Sequence, residues 1–179
     1  MITTVDELFD VLVACDGFFD SLGDDGDPLP VLDHSLQCAA ILLDAAPDDD
    51  ELVVAGLVHD IGHRLQPQHS REHGMIAADA VRDLLGPRVA ALVELHVPAK
   101  RYLVTTDSSY SSALSHGSTV SLARQGGLLD DDERAALEAR PELHDALTLR
   151  RADEGAKVVG ASVPGLDHWR PVVGRVAQP

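Results

Sequence analysis

Cysteine and aromatic residues are scarce in this chain of 179 residues, which has two Cys, one Trp and an aromatic content of 3%. Two thiols cannot form the lattice of bridges that staples small secreted domains. Cys15 and Cys38 lie in apolar patterns and read as small buried hydrophobes of a reducing compartment. Basic residues are also few: 14 Lys and Arg against 30 Asp and Glu, a formal net charge of −16. That balance argues against a nucleic-acid partner, because phosphate-backbone binding draws on clustered cations. No stretch approaches the roughly 20 apolar residues of a membrane span. The opening MITTVDELFDVLVACDGFF carries acids where a secretory signal has its positive charges. A cytoplasmic protein without a membrane partner is expected. Alternating β-branched and aromatic runs are hard to find, which leaves little to build strands from.

What the chain does have is helical periodicity along almost its whole length, so the expected fold is all-α, a single helical bundle over residues 1–179. Helix starts are signalled at Thr3 or Thr4 before VDELFDVLV and at Asp48, Asp49 or Asp50 before ELVVAGLVHD, where short polar side chains can cap free amides. Further helical patterns are HSLQCAAILLDAA, HGMIAADAVRDLLG, RVAALVELHV, DDERAALEA and ELHDALTLRRADEGAKV. Residues 20–33, DSLGDDGDPLPVLD, form the least helical segment and a candidate lid, or simply a solvated loop. Residues 164–179 contain the one Trp and read as an extended strap packed on the helices.

The segment VVAGLVHDIGHRL places His59, Asp60 and His63 inside an apolar run. Burying such groups is costly unless a partner such as a metal compensates. His59 and His63 are four apart and share one helix face, with Asp60 rotated by about 100° but still able to reach that side. The spacing is close to HExxH, but the acid is Asp and Gly62 weakens the helix, so a zinc-protease reading is set aside. Candidate partners recur downstream and upstream. His34 opens one helical pattern, His73 opens another, and His96 ends a third, with Lys100 a turn beyond. Pro98, between them, is expected to start a new helix or a kink. Asp153 follows Arg150 by one turn in LRRADEGAK. Each of these alone has an ordinary surface or core explanation; together they form a ligand set.

In order and helical context, His34, His59-Asp60 and Asp153 resemble the motif of the HD-domain superfamily, and His73 and His96 match members that hold two metals bridged by the Asp of the doublet. On that resemblance one metal takes His34, His59, Asp60 and Asp153, and the other Asp60, His73 and His96. His69 rivals His73; the apolar periodicity that begins at His73 favours the latter. Two chemistries use such ligands: phosphohydrolysis by a metal-bound water, and oxygenation by a mixed-valent iron pair. The stretches LHVPAKRYL, LSHGSTVSLARQGG and LRRADEGAKV are similar in order and spacing to the di-iron phosphonate dioxygenases of the 2-amino-1-hydroxyethylphosphonate type, relatives of myo-inositol oxygenase, over roughly residues 22–158.

The resemblance implies a Fe(II)/Fe(III) pair, dioxygen as co-substrate and oxidative C–P cleavage of a small anionic organophosphonate. It assigns the phosphonate to Lys100, Ser118 and Arg150, and places His63 beside the metal-bound substrate. An ionic grip suits a dianion in an acidic protein, and Arg can hold two oxygens at once. Ser118 also reads as an N-cap before TVSLARQ. The resembling enzymes carry a Tyr and a Glu before the first His; here those positions are Asp24 and Asp27, of which only Asp27 keeps an acid that can face a cation. The alternatives are a metal-dependent phosphohydrolase of a nucleotide or phosphate monoester, sharing the same ligands, and a silent binding module that retains the fold.

Overall fold

The computed structural model describes residues 1–20, 26 and 28–178, and among them there are helices and no strands. The first helix, α1 (Val5–Ala14), starts at Thr4, whose hydroxyl accepts the Glu7 N–H at 3.1 Å while Glu7 Oε2 accepts the Thr4 N–H at 3.2 Å. This reciprocal box satisfies amides that a helix end otherwise leaves unpaired. Next comes α2 (Val31–Ala45), which begins one turn before His34 rather than at it. Helix α3 (Asp50–Val58) is capped by Asp49, which accepts the Leu52 N–H at 3.1 Å. Every residue from Leu52 through Val58 is buried. A helix apolar all round belongs in the centre of a bundle, and α3 is surrounded by α2, by α5 (His73–Thr106), by α9 (Leu143–Gly155) and by α10 (Leu166–Val176).

Between α3 and α5 lie the short α4 (Ile61–Leu65) and a 3₁₀ turn over Pro67–Glu72. Helix α5 breaks once, at Gly86, whose φ of 82° suits a residue without Cβ, and Pro87 restarts it. Pro98 does neither of the things its sequence suggests. The helix runs through it to Thr106, at the cost of one backbone donor, and carries His96 and Lys100 on one continuous element. Helix α6 (Ser108–Ala113) packs on α5, while α7 (His116–Arg124) and α8 (Asp131–Glu138) are tied to it by the Lys100–Ser121 and Arg101–Glu133 hydrogen bonds and lead to α9.

The C-terminal segment is helical, not an extended strap. Leu166, Trp169, Val172, Val173 and Val176 recur at intervals of three and four and pack as α10 against α3, α1 and α5. Trp169 is fully buried and its indole N–H donates to the Pro164 carbonyl at 3.3 Å. Among the described residues, no helix is long and apolar enough to cross a membrane.

Candidate metal centre

The His-Asp doublet sits at a corner. Helix α3 stops at Val58, His59 caps it, and Asp60 (φ −104°, ψ 2°) turns the chain into α4. His59 and His63 therefore do not share the face of one helix, as their spacing suggests. The corner is held shut by a backbone contact: a Cβ on Gly62 would lie 2.0 Å from the His73 carbonyl oxygen. Gly62 is what lets α4 touch the start of α5, and with it brings Asp60 beneath His73.

Two groups of ligand atoms converge there, His34, His59 and Asp153 in one, Asp60, His73 and His96 in the other. In the first, His34 Nε2 stands 3.2 Å from His59 Nε2 and 3.2 Å from Asp153 Oδ1. In the second, His73 Nε2 and His96 Nε2 are 2.8 Å apart. Asp60 lies between the groups, with Oδ2 at 3.2 Å from His59 Nε2 and 3.5 Å from His34 Nε2. Its other oxygen, Oδ1, is 3.2 Å from His73 Nε2 and 3.6 Å from His96 Nε2.

The outer nitrogens explain why these inner ones need a cation. Each of the four Nδ1 atoms faces a backbone carbonyl: Ala156 for His34 at 2.9 Å, Gly56 for His59 at 2.8 Å, Ser70 for His73 at 2.8 Å and Val93 for His96 at 2.6 Å. A carbonyl only accepts, so each Nδ1 carries a hydrogen and each inner Nε2 is left to hold a cation, either a metal ion or a proton. Buried lone pairs facing each other at 2.8 Å and 3.2 Å repel unless a cation stands between them. An imidazole oriented by a carbonyl behind it is also how metal-binding histidines are commonly held. The donor set thus fits two metal ions sharing Asp60.

Electrostatics agree. Burial resists charge on Asp60 and Asp153, yet the imidazoles around Asp60, and Arg150 and His34 beside Asp153, hold both well below the usual carboxylate range. Burial also opposes charge on His59, but the Asp60 and Asp153 carboxylates push it up to about 9. His63 stacks on His73 with ring centroids 3.9 Å apart, and burial together with His73 lowers it to about 3. Its Nδ1 meets the Ser70 hydroxyl at 3.1 Å.

A cavity opens over the ligands, floored by Asp60, His73, His96 and Asp153. Its wall carries Lys100, Arg150 and Lys157, a cationic surface inside an acidic protein. Lys100 is 3% exposed, donates to Ser121 Oγ at 2.8 Å, and is lowered to about 7 by burial and by Arg150. Arg150, equally buried, donates Nε to the Tyr110 hydroxyl at 2.6 Å and pairs through its other nitrogens with Asp153, Glu154 and Ser118. Its neighbour Arg151 points outward to Asp107 at 3.0 Å.

A family model described as HD domain matches residues 31–155, which include all six candidate ligands. The chain belongs to the HD-domain family. Among curated relatives, hydroxymethylphosphonate dioxygenase of Gimesia maris is 40% identical over 147 residues, 77% of this chain and 73% of that one. The glycine-betaine-forming [1-hydroxy-2-(trimethylamino)ethyl]phosphonate dioxygenase of Leisingera caerulea is 33% identical over 171 residues, 89% of this chain and 87% of that one.

Of the residues expected from sequence, His34, His59, Asp60, His63, His73, His96, Lys100, Ser118, Arg150 and Asp153 converge on this HD centre. His69 does not; its side chain is half exposed and pairs with Glu72 at 3.5 Å. Asp24 and Asp27 lie outside the described residues, as does much of the candidate lid. Ser118 is not a helix cap: Ser115 caps α7 and accepts the Ser118 N–H at 3.2 Å. Lys157, Glu154 and Tyr110 escape the sequence reading. Lys157 lies past the end of α9, where helical spacing no longer relates it to Arg150, and Tyr110 sits on a helix with no periodic signal of its own.

Proposed function

We propose that the chain is an HD-domain oxygenase that cleaves the C–P bond of a small 1-hydroxyalkylphosphonate with dioxygen. One observation carries the reading: two ligand groups sharing Asp60 open into one cavity whose wall holds Lys100, Arg150 and Lys157. The names and coverage of the two curated relatives support it. In the overall reaction, R–CH(OH)–PO₃H₂ and O₂ become R–COOH and H₃PO₄, the two oxygens of O₂ supplying the two added to the products.

His34, His59 and Asp153 would hold one iron, His73 and His96 the other, with Asp60 shared. An Fe(II)/Fe(III) pair there would supply the electron and dioxygen chemistry. The chain's own groups do the rest. Lys100 and Arg150, both buried, neutralise the phosphonate and orient it over the ligands. His63 lines the same cavity, and its buried imidazole, held neutral, can hydrogen-bond the substrate hydroxyl without adding charge. Tyr110 and Glu154 hold Arg150 from behind. Scarce aromatics leave no platform for a nucleobase, in keeping with a small polar substrate.

The test is phosphate release by iron-loaded protein from hydroxymethylphosphonate and from a nucleoside monophosphate, in air and under strict anaerobiosis. The proposal requires release from the phosphonate in air and none without oxygen. Release from the monophosphate that persists without oxygen would assign the centre to hydrolysis instead. Low-temperature electron paramagnetic resonance of partially reduced protein should show a mixed-valent pair whose signal shifts when the phosphonate is added.

A further inference from the structure

Ser118 has one hydroxyl proton to give and two lone pairs to receive with. The proton goes to Glu154 Oε2 at 2.7 Å, a carboxylate that only accepts. The lone pairs take Arg150 Nη2 at 2.8 Å and Lys157 Nζ at 2.8 Å. Glu154 is the centre of this cluster. Its Oε2 also pairs with Arg150 and lies 3.6 Å from Lys157 Nζ, while its Oε1 accepts the Ser115 N–H at 2.6 Å. One carboxylate thus ties the end of α9 to the start of α7 and grips two of the five cations that line the cavity, Arg71, Lys100, Arg124, Arg150 and Lys157.

We propose that Glu154 is a positioning residue for the anion subsite, aligning Arg150, Lys157 and Ser118 toward the cavity. The proposal rests on the phosphonate reading above. It differs in sign from a simple electrostatic role. A carboxylate that merely neutralised the two cations would weaken anion binding, so its removal would tighten it. A carboxylate that aligns them strengthens binding, so its removal loosens it.

Methylphosphonate, which lacks the hydroxyl that oxidation requires, is the probe. It is titrated calorimetrically into iron-loaded protein under exclusion of oxygen, with iron content measured in each variant. Glu154→Gln and Ser118→Ala should each raise Kd about tenfold, the worth of one charge-assisted hydrogen bond. The double variant should be no more than about twofold worse than the weaker single, because both changes disable one cluster. Glu154→Asp keeps the charge but shortens the reach by a methylene, and should also weaken binding; it serves where Glu154→Gln does not fold. Unchanged or tighter binding in either Glu154 variant overturns the proposal. Fully additive losses in the double variant overturn it as well, since Glu154 would then act independently of the cluster it is proposed to hold. If the wild-type protein binds neither methylphosphonate nor inorganic phosphate, the phosphonate reading fails and the positioning role goes with it.

Discussion

At the scale of single residues, Asp60 and Lys100 make the sharpest demands. Each Asp60 oxygen faces a different pair of imidazoles, so Asp60→Ala should lose both metals, whereas Asp153→Ala should lose one. Metal content after gel filtration checks this, and full occupancy in Asp60→Ala would exclude a shared ligand. Lys100, ordinarily charged up to 10.5, is lowered to about 7, chiefly by burial and next by Arg150. In the unfolded chain it keeps its proton up to the higher value, so between about 7 and 10.5 its contribution to stability rises with pH. Anion binding runs the other way, because a bound dianion wants the ammonium and must recover its proton above pH 7. KM for the phosphonate should therefore climb with pH in that range by up to about tenfold per unit. Lys100→Met should raise KM at neutral pH without loss of iron. It should also remove that part of the pH trend, leaving only the titration of the substrate itself.

Elements matter through the corner between α3 and α4. That corner exists because Gly62 lets backbone meet backbone at His73. Gly62→Ala must push α4 away from α5, which separates Asp60 from His73 and His96. Overpacking of this kind costs about 2 to 3 kcal/mol, or roughly 5–10 °C in Tm for a chain of this size. The second metal should also be lost first, which metal analysis of the folded variant would detect; retention of both metals with an unchanged Tm would show that the contact relaxes without consequence. The same logic makes the unbroken passage of α5 through Pro98 functional, because it keeps His96 and Lys100 on one rigid rod one turn apart.

For the whole molecule, the relevant quantities are the buried ligand set and the acidic surface. Metal removal should destabilise the fold, since ions bound only by the native state add about 2.7 kcal/mol per site at a hundredfold excess over Kd. Chelation should thus lower Tm by roughly 5–10 °C per site, and restored iron should recover it. With a net charge of −16, self-repulsion is appreciable, and raising the ionic strength from low to moderate should increase Tm in the chelated protein. Clustered exceptions such as Arg88, which pairs with Asp49 at 2.6 Å and with Glu51 and Asp145 at 2.9 Å, join α3, α5 and α9 and would weaken under the same screening. A Tm that falls with salt would mean that such pairs outweigh the repulsion.

The sequence by itself determined the helical class, the order of the helices and which His and Asp residues gather in the core. Apolar periodicity and capping residues are local, and six His and Asp residues in helical settings are costly to bury unless they serve together. Thr4 and Asp49 cap the helices that their positions announce, and His73, at a helix start, joins Asp60 and His96 while His69 does not. Tertiary structure decided the rest. Whether Pro98 breaks a helix, whether the tail is extended and whether His59 and His63 share a face depend on what packs against them. The same holds for the role of Ser118. Its hydroxyl proton and lone pairs are committed by Glu154, Arg150 and Lys157, residues at least 32 positions away in the chain, and no local pattern records a partner brought near only by folding.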